Sequence, residues 1–267
     1  MKKRIRVAFW HNSFAPYRVP LFQRLAAYND IDLTVYYGAE KEAHRAWSVD
    51  FGEGYAYVVL PHLTIPWYPH KFNYTLFHEL LRKQYDVIIG CENEIGGQIA
   101  YLAARWMKKP FIVWSVQIDY EILRDARDYP FQECLKKTLP YMGRTLHHLI
   151  FFPLYYGAKY VKRHADACIA AGQKTEEHLR KLGAACPIFR YGNTIDTERL
   201  QQQIRKQDAA ALKNTLGVFN KTIILSVSYL EKRKGVQYLI EAFLRINPAD
   251  AVLVIVGDGE YSRNFNA

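Results

Sequence analysis

The chain has 267 residues, half of them hydrophobic and 23% charged, the balance of a folded protein with a substantial core and not of a disordered or fibrous chain. Lys and Arg outnumber Asp and Glu by 36 to 26, a net charge of +10 that favours anionic partners such as nucleotide phosphates, nucleic acid or an acidic membrane face. The four cysteines (Cys91, Cys134, Cys168, Cys186) are scattered singly, which supports neither a zinc site nor a disulfide framework and suits a reducing cytosol.

The opening MKKRIRVAFWHNS is basic, but its apolar run, Val7 to Trp10, is too short for a signal peptide. No window of about 18 uncharged apolar residues offers a membrane span. Short apolar runs then alternate with helical patterns. IRVAFW (5–10), IDLTVYY (31–37), YAYVVLP (55–61), YDVIIGC (85–91), PFIVWSV (110–116), ADACIAA (165–171) and PIFRY (187–191) predict strands. Several are apolar throughout, as strands buried on both faces of a parallel sheet are. Val19, Phe22, Leu25 and Ala26 fall on one helical face, as do Phe77, Leu80 and Leu81; helices also fit 96–108 and 173–182, the second closed by Gly183. The alternation predicts an α/β fold with a doubly wound parallel sheet, a Rossmann-like domain over residues 1–191.

Residues 192–207 are polar, open on Gly192 and read as an interdomain hinge. From 208 the pattern restarts with a helix over 208–216 and the strand TIILSVS (222–228). A helix bearing Val236, Leu239, Ile240 and Phe243 on one face follows, then the strand AVLVIV (251–256). One βαβ unit of this size cannot bury enough surface to stand alone. Residues 208–267 therefore read as the start of a second, incomplete Rossmann-like domain.

The stretch VSYLEKRKG (227–235) gathers Lys232, Arg233 and Lys234 before Gly235 where a strand hands over to a helix. Such a loop lies at the carboxyl edge of a parallel sheet, where open α/β folds bind ligands. The helix start offers free N–H groups and partial positive charge, Lys234 adds a full charge, and Gly235 permits close backbone approach. Spacing alone leaves two readings open: a phosphate site, or a solvated basic loop with a glycine for its turn.

With Lys234–Gly235, YLIEAF (238–243) and VGDGE (256–260) in this order, the sequence resembles the nucleotide-sugar-dependent glycosyltransferases of family four, which have the two-domain GT-B fold. RYGNTIDTERL (190–200) resembles that family's interdomain stretch through Asn193 and Asp196. APYRVPLFQRLA (15–26) resembles the P-Y-R entry to the first helix in one of its branches, and 162–183 the elements closing the first domain. The resemblance covers the whole chain. It implies a retaining transfer of sugar from a nucleotide diphosphate-sugar to an acceptor in cell-envelope polysaccharide or glycolipid synthesis, with no cofactor and no metal. Lys234, Arg233 and Gly235 would hold the donor diphosphate. Acceptor contacts would come from first-domain loops: Pro16, Tyr17 and Arg18, then Glu92 and Glu94, then Ser115.

The departures are equally specific. Tyr229 stands where the family has an arginine, and a phenol brings no charge at neutral pH. Thr194 replaces a glycine of the interdomain stretch, and Ser115 stands where many members have a histidine, so no catalytic acid or base is assigned. The family's paired glutamates would lie beyond Ala267, so the chain is expected to be C-terminally truncated and inactive by itself. Glu94 has a second reading, as a favourable charge in the first turn of a helix. DID (30–32) spells a metal motif of another glycosyltransferase fold but precedes its strand and reads as a turn. His147 and His148 are adjacent on a helix and point about 100° apart.

Between Glu133 and Asp166 no acid occurs, and LIFFPLYY (149–156) sits among Lys136, Lys137, Arg144, Lys159, Lys162 and Arg163. Apolar and aromatic residues flanked by cations suit an anionic membrane surface and a cytoplasmic, peripheral location at the inner face of the cell membrane. An internal helix pair filled by Phe and Tyr fits the same residues. The aromatic-rich stretch 47–74 fits a packed loop or sugar stacking. The alternative to an enzyme is a non-catalytic module that binds the acceptor or the membrane surface. Nucleic-acid binding rests on charge alone and is not expected. With no glycine before Gly38, the first strand lacks a dinucleotide turn.

Overall fold

The computed structural model describes residues 3–41, 48–64, 71–91, 94–116, 156–192, 194–205, 209–259 and 262. They form two compact units, the first ending at Ile195 and the second beginning at Asp196. In the first unit the seven apolar runs all become strands, their ends adjusted by at most two residues. They are β1 (Ile5–His11), β2 (Ile31–Tyr37) and β3 (Ala56–Val59), then β6 (Val87–Gly90), β7 (Phe111–Ser115), β8 (Ala167–Ala170) and β9 (Ile188–Arg190). They make one parallel sheet in the order β3-β2-β1-β6-β7-β8-β9. A small antiparallel pair, β4 (Leu63–Thr64) with β5 (Lys71–Phe72), stands apart from it.

Alternation along β1 shows why the sheet is covered on both faces. Ala8 and Trp10 point into a core with Leu76 and Leu80 of α2 (Leu76–Lys83) and Ala100, Ala103 and Ala104 of α3 (Ile95–Trp106). Phe9 points the other way, its ring 5.1 Å from that of Phe22 on α1 (Val19–Ala26). The chain runs outward from β1 to β3 and then returns to β6 on the far side of β1. The loops after β1 and β6 therefore flank the point where strand order reverses, the position at which doubly wound sheets hold ligands.

Two glycines at the start of α3 set that loop. A Cβ on Gly97 would lie 1.5 Å from the carbonyl oxygen of Cys91, and one on Gly96 would lie 2.2 Å from the indole of Trp10. Only glycine lets the helix start this close to the end of β6. Before β6, Asp86 ties the strand to β1. The Arg6 backbone N–H donates to its carboxylate at 3.0 Å and the Arg6 Nε at 3.4 Å. These bonds hold the Asp86 carboxyl below the ordinary carboxylate range. Tyrosine hydroxyls satisfy one another: buried Tyr36 with buried Tyr85, and buried Tyr37 with half-buried Tyr55, each pair at 2.9 Å.

Several expectations need correction. Lys162, expected on a membrane-facing surface, is only 2% exposed. It lies in a helical segment, 156–164, whose inward positions are Ala158, Val161 and Lys162, an i, i+3, i+4 stripe. Lys159 is half-buried, and Arg163 is exposed with its Nε donating to the Leu182 carbonyl at 2.8 Å. Lys136 and Lys137 lie outside the described residues, as do His147 and His148. The hinge expected over 192–207 contains the helix α5 (Thr197–Arg205), after α4 (Gln173–Lys181) of the first unit. The Asp196 carboxylate caps α5 by accepting from the Arg199 N–H at 2.9 Å. Cys168 and Cys186, read as isolated, have their sulfurs 3.5 Å apart because β8 and β9 are neighbours. In the aromatic stretch, Phe51 stacks on Tyr57 at 4.4 Å and meets Phe14 edge-on at 4.9 Å, so this part is a packed loop.

The second unit contains α6 (Ala209–Thr215), β10 (Thr222–Val227), α7 (Val236–Ile246) and β11 (Ala251–Val256), with β10 and β11 parallel. Among its described residues, Leu230 and Val236 are the buried hydrophobics. Leu225, Val227, Leu244 and Ile246 are each at least 60% exposed, as expected for a single βαβ unit. One full Rossmann-like domain and part of a second make up the described chain.

Candidate functional site

Each unit carries one constellation at the carboxyl edge of its sheet. In the first, the chain leaves β1 through Pro16, Tyr17 and Arg18, which form a 3-10 turn running directly into α1. Proline at the first position fixes the turn, and the Arg18 N–H closes it on the Ala15 carbonyl at 2.9 Å. Tyr17 is half exposed, whereas Arg18 is 8% exposed. The Arg18 guanidinium carbon lies 4.9 Å from the Trp114 ring and 5.2 Å from the Tyr17 ring. Trp114 is fixed in turn: its Nε1–H donates to the Tyr191 hydroxyl at 2.5 Å, and its ring meets Phe9 edge-on at 4.8 Å.

Ser115, next to Trp114, is fully buried at the end of β7, and its carbonyl accepts from the Ala171 N–H. It points to the opposite face from Trp114 by strand alternation. Glu94 is the N-cap residue of α3, half-buried, with its carbonyl accepting from the Gln98 N–H at 3.1 Å. Its place just ahead of the helix, and not within the first turn, differs from the helix-charge reading. Glu92 lies outside the described residues. Beyond β8, an open recess of ≈ 550 Å³ is lined by Val116, Gly172, Lys174 and Thr175 at the start of α4.

In the second unit the strand β10 ends and the chain passes through a 3-10 turn, Lys232–Lys234, into α7. Gly235 joins them with φ +71°, a left-handed conformation that favours glycine. Its N–H donates to the Lys232 carbonyl at 3.2 Å, and its own carbonyl accepts from Tyr238 at 3.0 Å. Lys234 is exposed, and the side chain of Arg233 lies outside what is described.

The VGDG segment runs alongside this turn. Ser228 N–H donates to Val256 carbonyl at 3.1 Å and Leu230 N–H to Asp258 carbonyl at 2.8 Å, extending the β10–β11 pairing past the strand ends. A Cβ on Gly257 would sit 1.9 Å from the Ser228 carbonyl oxygen, and one on Gly259 2.4 Å from that of Leu230. Both glycines are required by this close approach. The sequence did not single out Ser228 Oγ or Gln237 Oε1. Both are buried without a hydrogen-bond partner beside this loop, and a serine directly after an apolar strand is the one signal that could have shown the first. Among the described residues no group of three His, Cys, Asp or Glu is arranged to hold a metal.

Residues 209–267 match the family model for glycosyl transferases group 1. No curated protein matches the sequence. Among solved structures, the chain is similar to Anabaena Alr3699/HepE in complex with UDP, with a TM-score of 0.61 and 16% identity, covering 98% of this chain and 63% of that one. It is similar to the S. aureus MnaA–UDP structure with a TM-score of 0.57 and 13% identity, over 97% of this chain and 63% of that one. UDP-GlcNAc 2-epimerase from Neisseria meningitidis bound to UDP-GlcNAc gives a TM-score of 0.55 and 13% identity, over 94% and 65%. The chain thus spans under two thirds of the length of these structures. At such identities the likeness establishes fold, and the family match adds the sequence signature. The chain has a GT-B-like architecture, and its residues 209–267 carry the sequence signature of glycosyl transferases group 1.

Proposed function

We propose that the protein is one of the retaining glycosyltransferases of family four, which move a sugar from a nucleotide diphosphate-sugar to an acceptor of cell-envelope polysaccharide or glycolipid, and that this chain by itself keeps their donor-binding edge without their turnover. The observation that carries this reading is the paired edge of the second unit, where the Lys234–Gly235 turn opens α7 beside the VGDG segment. A helix N-terminus with a cation at a sheet's carboxyl edge suits a diphosphate. Lys234 would neutralise the charge that develops on the diphosphate as the sugar departs, the main electrostatic demand of such a transfer. No metal or cofactor is needed for that role. The neighbours solved with UDP or UDP-GlcNAc support a uridine nucleotide as the first donor to try.

With Tyr229 in place of an arginine and no assigned acid or base, the 267-residue chain is expected to bind nucleotide without measurable turnover. Titration calorimetry with UDP and GDP tests the donor site. A charge-assisted contact of about 1.5–3 kcal/mol implies that Lys234→Ala weakens binding by roughly ten- to hundredfold. Equal affinity for both chains removes Lys234 from the site, and sugar transfer by the purified chain overturns the expectation of inactivity.

A second reading, attachment to an anionic membrane surface, is favoured by Tyr156 and Tyr160, which remain 50% and 55% exposed beside Arg163. Lys162 takes no part in it. Flotation with phosphatidylglycerol vesicles, compared between the native chain and Tyr160→Ser/Arg163→Ser, tests it; equal flotation removes this surface.

A further inference from the structure

Arg18 has an unusual environment for a charged side chain. It is 8% exposed, yet no carboxylate and no hydrogen-bond acceptor meets its guanidinium among the described residues. Arginine is almost never buried to this degree unless paired, because a cation removed from water loses its hydration without compensation. The Nε is sealed from solvent and has no partner. What the fold supplies is the face of Trp114, at 4.9 Å, with Tyr17 at 5.2 Å. Aromatic faces attract a guanidinium and hold it in a fixed plane, but they satisfy none of its N–H groups.

The surrounding charge points the same way. Arg18 is the N-cap residue of α1, and neither the turn Pro16–Arg18 nor the first turn of α1 contains an acidic residue. The partial positive charge of the helix start is therefore added to that of Arg18, with no acid in either turn to offset it. Positioning is stiff. Pro16 fixes the turn, the Tyr191 hydroxyl anchors the Trp114 indole, and Phe9 buttresses its ring. The group lies by the loop after β1, at the reversal of strand order. A planar fork, rigidly held, unpaired among the described residues and at the ligand-binding edge of a sheet, matches a carboxylate or a phosphate.

We propose that Arg18 is the seat of an anionic substituent of the acceptor, so that the acceptor is an acidic sugar or a sugar phosphate and not a neutral one. This deepens the transferase reading and rests on it for the word acceptor, whereas the anion site stands on its own geometry. Two sources share the chemistry, a uronic acid carboxylate and a sugar phosphate, and the probes separate them.

The full chain is titrated with glucuronate, glucose 1-phosphate, glucose and UDP, followed by calorimetry and by tryptophan fluorescence. Trp114→Phe identifies the signal that comes from the stacked indole. Saturable binding of glucuronate or glucose 1-phosphate, absent for glucose and weakened about tenfold or more in Arg18→Met, is the expected result. The tighter of the two probes names the anion. Failure of both anions to bind, or equal binding by Arg18→Met, overturns the proposal. An Arg18-dependent signal produced by UDP alone overturns it as well, since the anion would then belong to the donor.

Should Arg18→Met lose its near-ultraviolet circular dichroism, Arg18→Lys decides: it keeps the charge without the fork and is expected to bind about fivefold more weakly, unchanged affinity counting against the site. Lys234-dependent UDP binding without any Arg18-dependent anion removes this inference and leaves the donor site standing. The opposite pattern removes the donor site and keeps the anion site.

Discussion

Replacing Gly97 by alanine tests the packing that positions the loop after β6. The added Cβ would fall 1.5 Å from the Cys91 carbonyl oxygen and 2.6 Å from its carbonyl carbon. Both obstacles are backbone, so no side-chain rotation relieves them, and α3 must lift from the sheet by roughly the missing distance to ordinary contact, about 1.5–2 Å. That displacement drags Ala100, Tyr101, Ala103 and Ala104, all buried on α3. Overpacking costs about 1–3 kcal/mol where neighbours adjust, and a backbone clash belongs at or above the upper end. The better helix propensity of alanine returns about 1 kcal/mol. A net loss of roughly 2–3 kcal/mol corresponds to a fall of about 4–12 °C in melting temperature for a unit of this size. Thermal unfolding followed by circular dichroism reads it. Gly192→Ala serves as control, because its Cβ would meet only a Thr194 methyl at 3.6 Å. A Gly97→Ala chain melting within about 1 °C of the native one would falsify the claim that this contact sets the start of α3.

Tyr229→Arg is expected to tighten UDP binding by about tenfold or more, because it adds a permanent charge where a phenol gives one hydrogen bond; unchanged affinity in calorimetry places position 229 away from the phosphates. Asp86 has a folded pKa below its unfolded value, held there by the Arg6 backbone N–H and then its side chain. Its contribution is present above the unfolded carboxylate pKa and is lost as pH falls through the folded one, so Asp86→Asn should flatten the acid limb of melting temperature against pH. A parallel acid limb in the variant would remove Asp86 from the account. Oxidation of the native chain with diamide is expected to join Cys168 to Cys186, whose sulfurs already lie 3.5 Å apart. Peptide mapping that finds this link only after addition of urea goes against the proximity.

Features of the fold are legible in the sequence where their signal is local. The seven strands of the first sheet were legible because a parallel strand covered on both faces is apolar along its whole length, as in Val87–Gly90 and Phe111–Ser115. The helix Thr197–Arg205 was hidden because its apolar residues, Leu200 and Ile204, are few and exposed, while its real signal is the Asp196 cap. The burial of Lys162 is not visible in charge along the chain, because it follows from position around the helix, where Lys162 shares the inward stripe with Ala158 and Val161. The glycines of VGDG were legible as a motif, but the reason for them was not, since the Ser228 and Leu230 carbonyls that exclude a Cβ come from the segment after β10.

Arg18 shows the limit most clearly. Its residue type and its place after β1 were readable, and both fit an ordinary surface arginine at a helix start. The distinguishing property is a missing partner, and that depends on everything the fold brings around it. Trp114 arrives from β7, two strands away in the sheet, and Tyr191 from the end of β9 holds its ring. Folding therefore takes most of this side chain out of water and gives it aromatic faces but, among the described residues, no counter-charge. An unpaired buried charge is a net cost to stability, so methionine, flexible, apolar and able to replace the arginine stem, should fit the same slot with equal or higher melting temperature. A lower melting temperature in Arg18→Met would mean that stacking on Trp114 outweighs the desolvation cost and that the arginine is structural. A higher one, together with lost anion binding, would mean that the site is maintained at the expense of stability, as expected where an arginine's missing partner is a ligand.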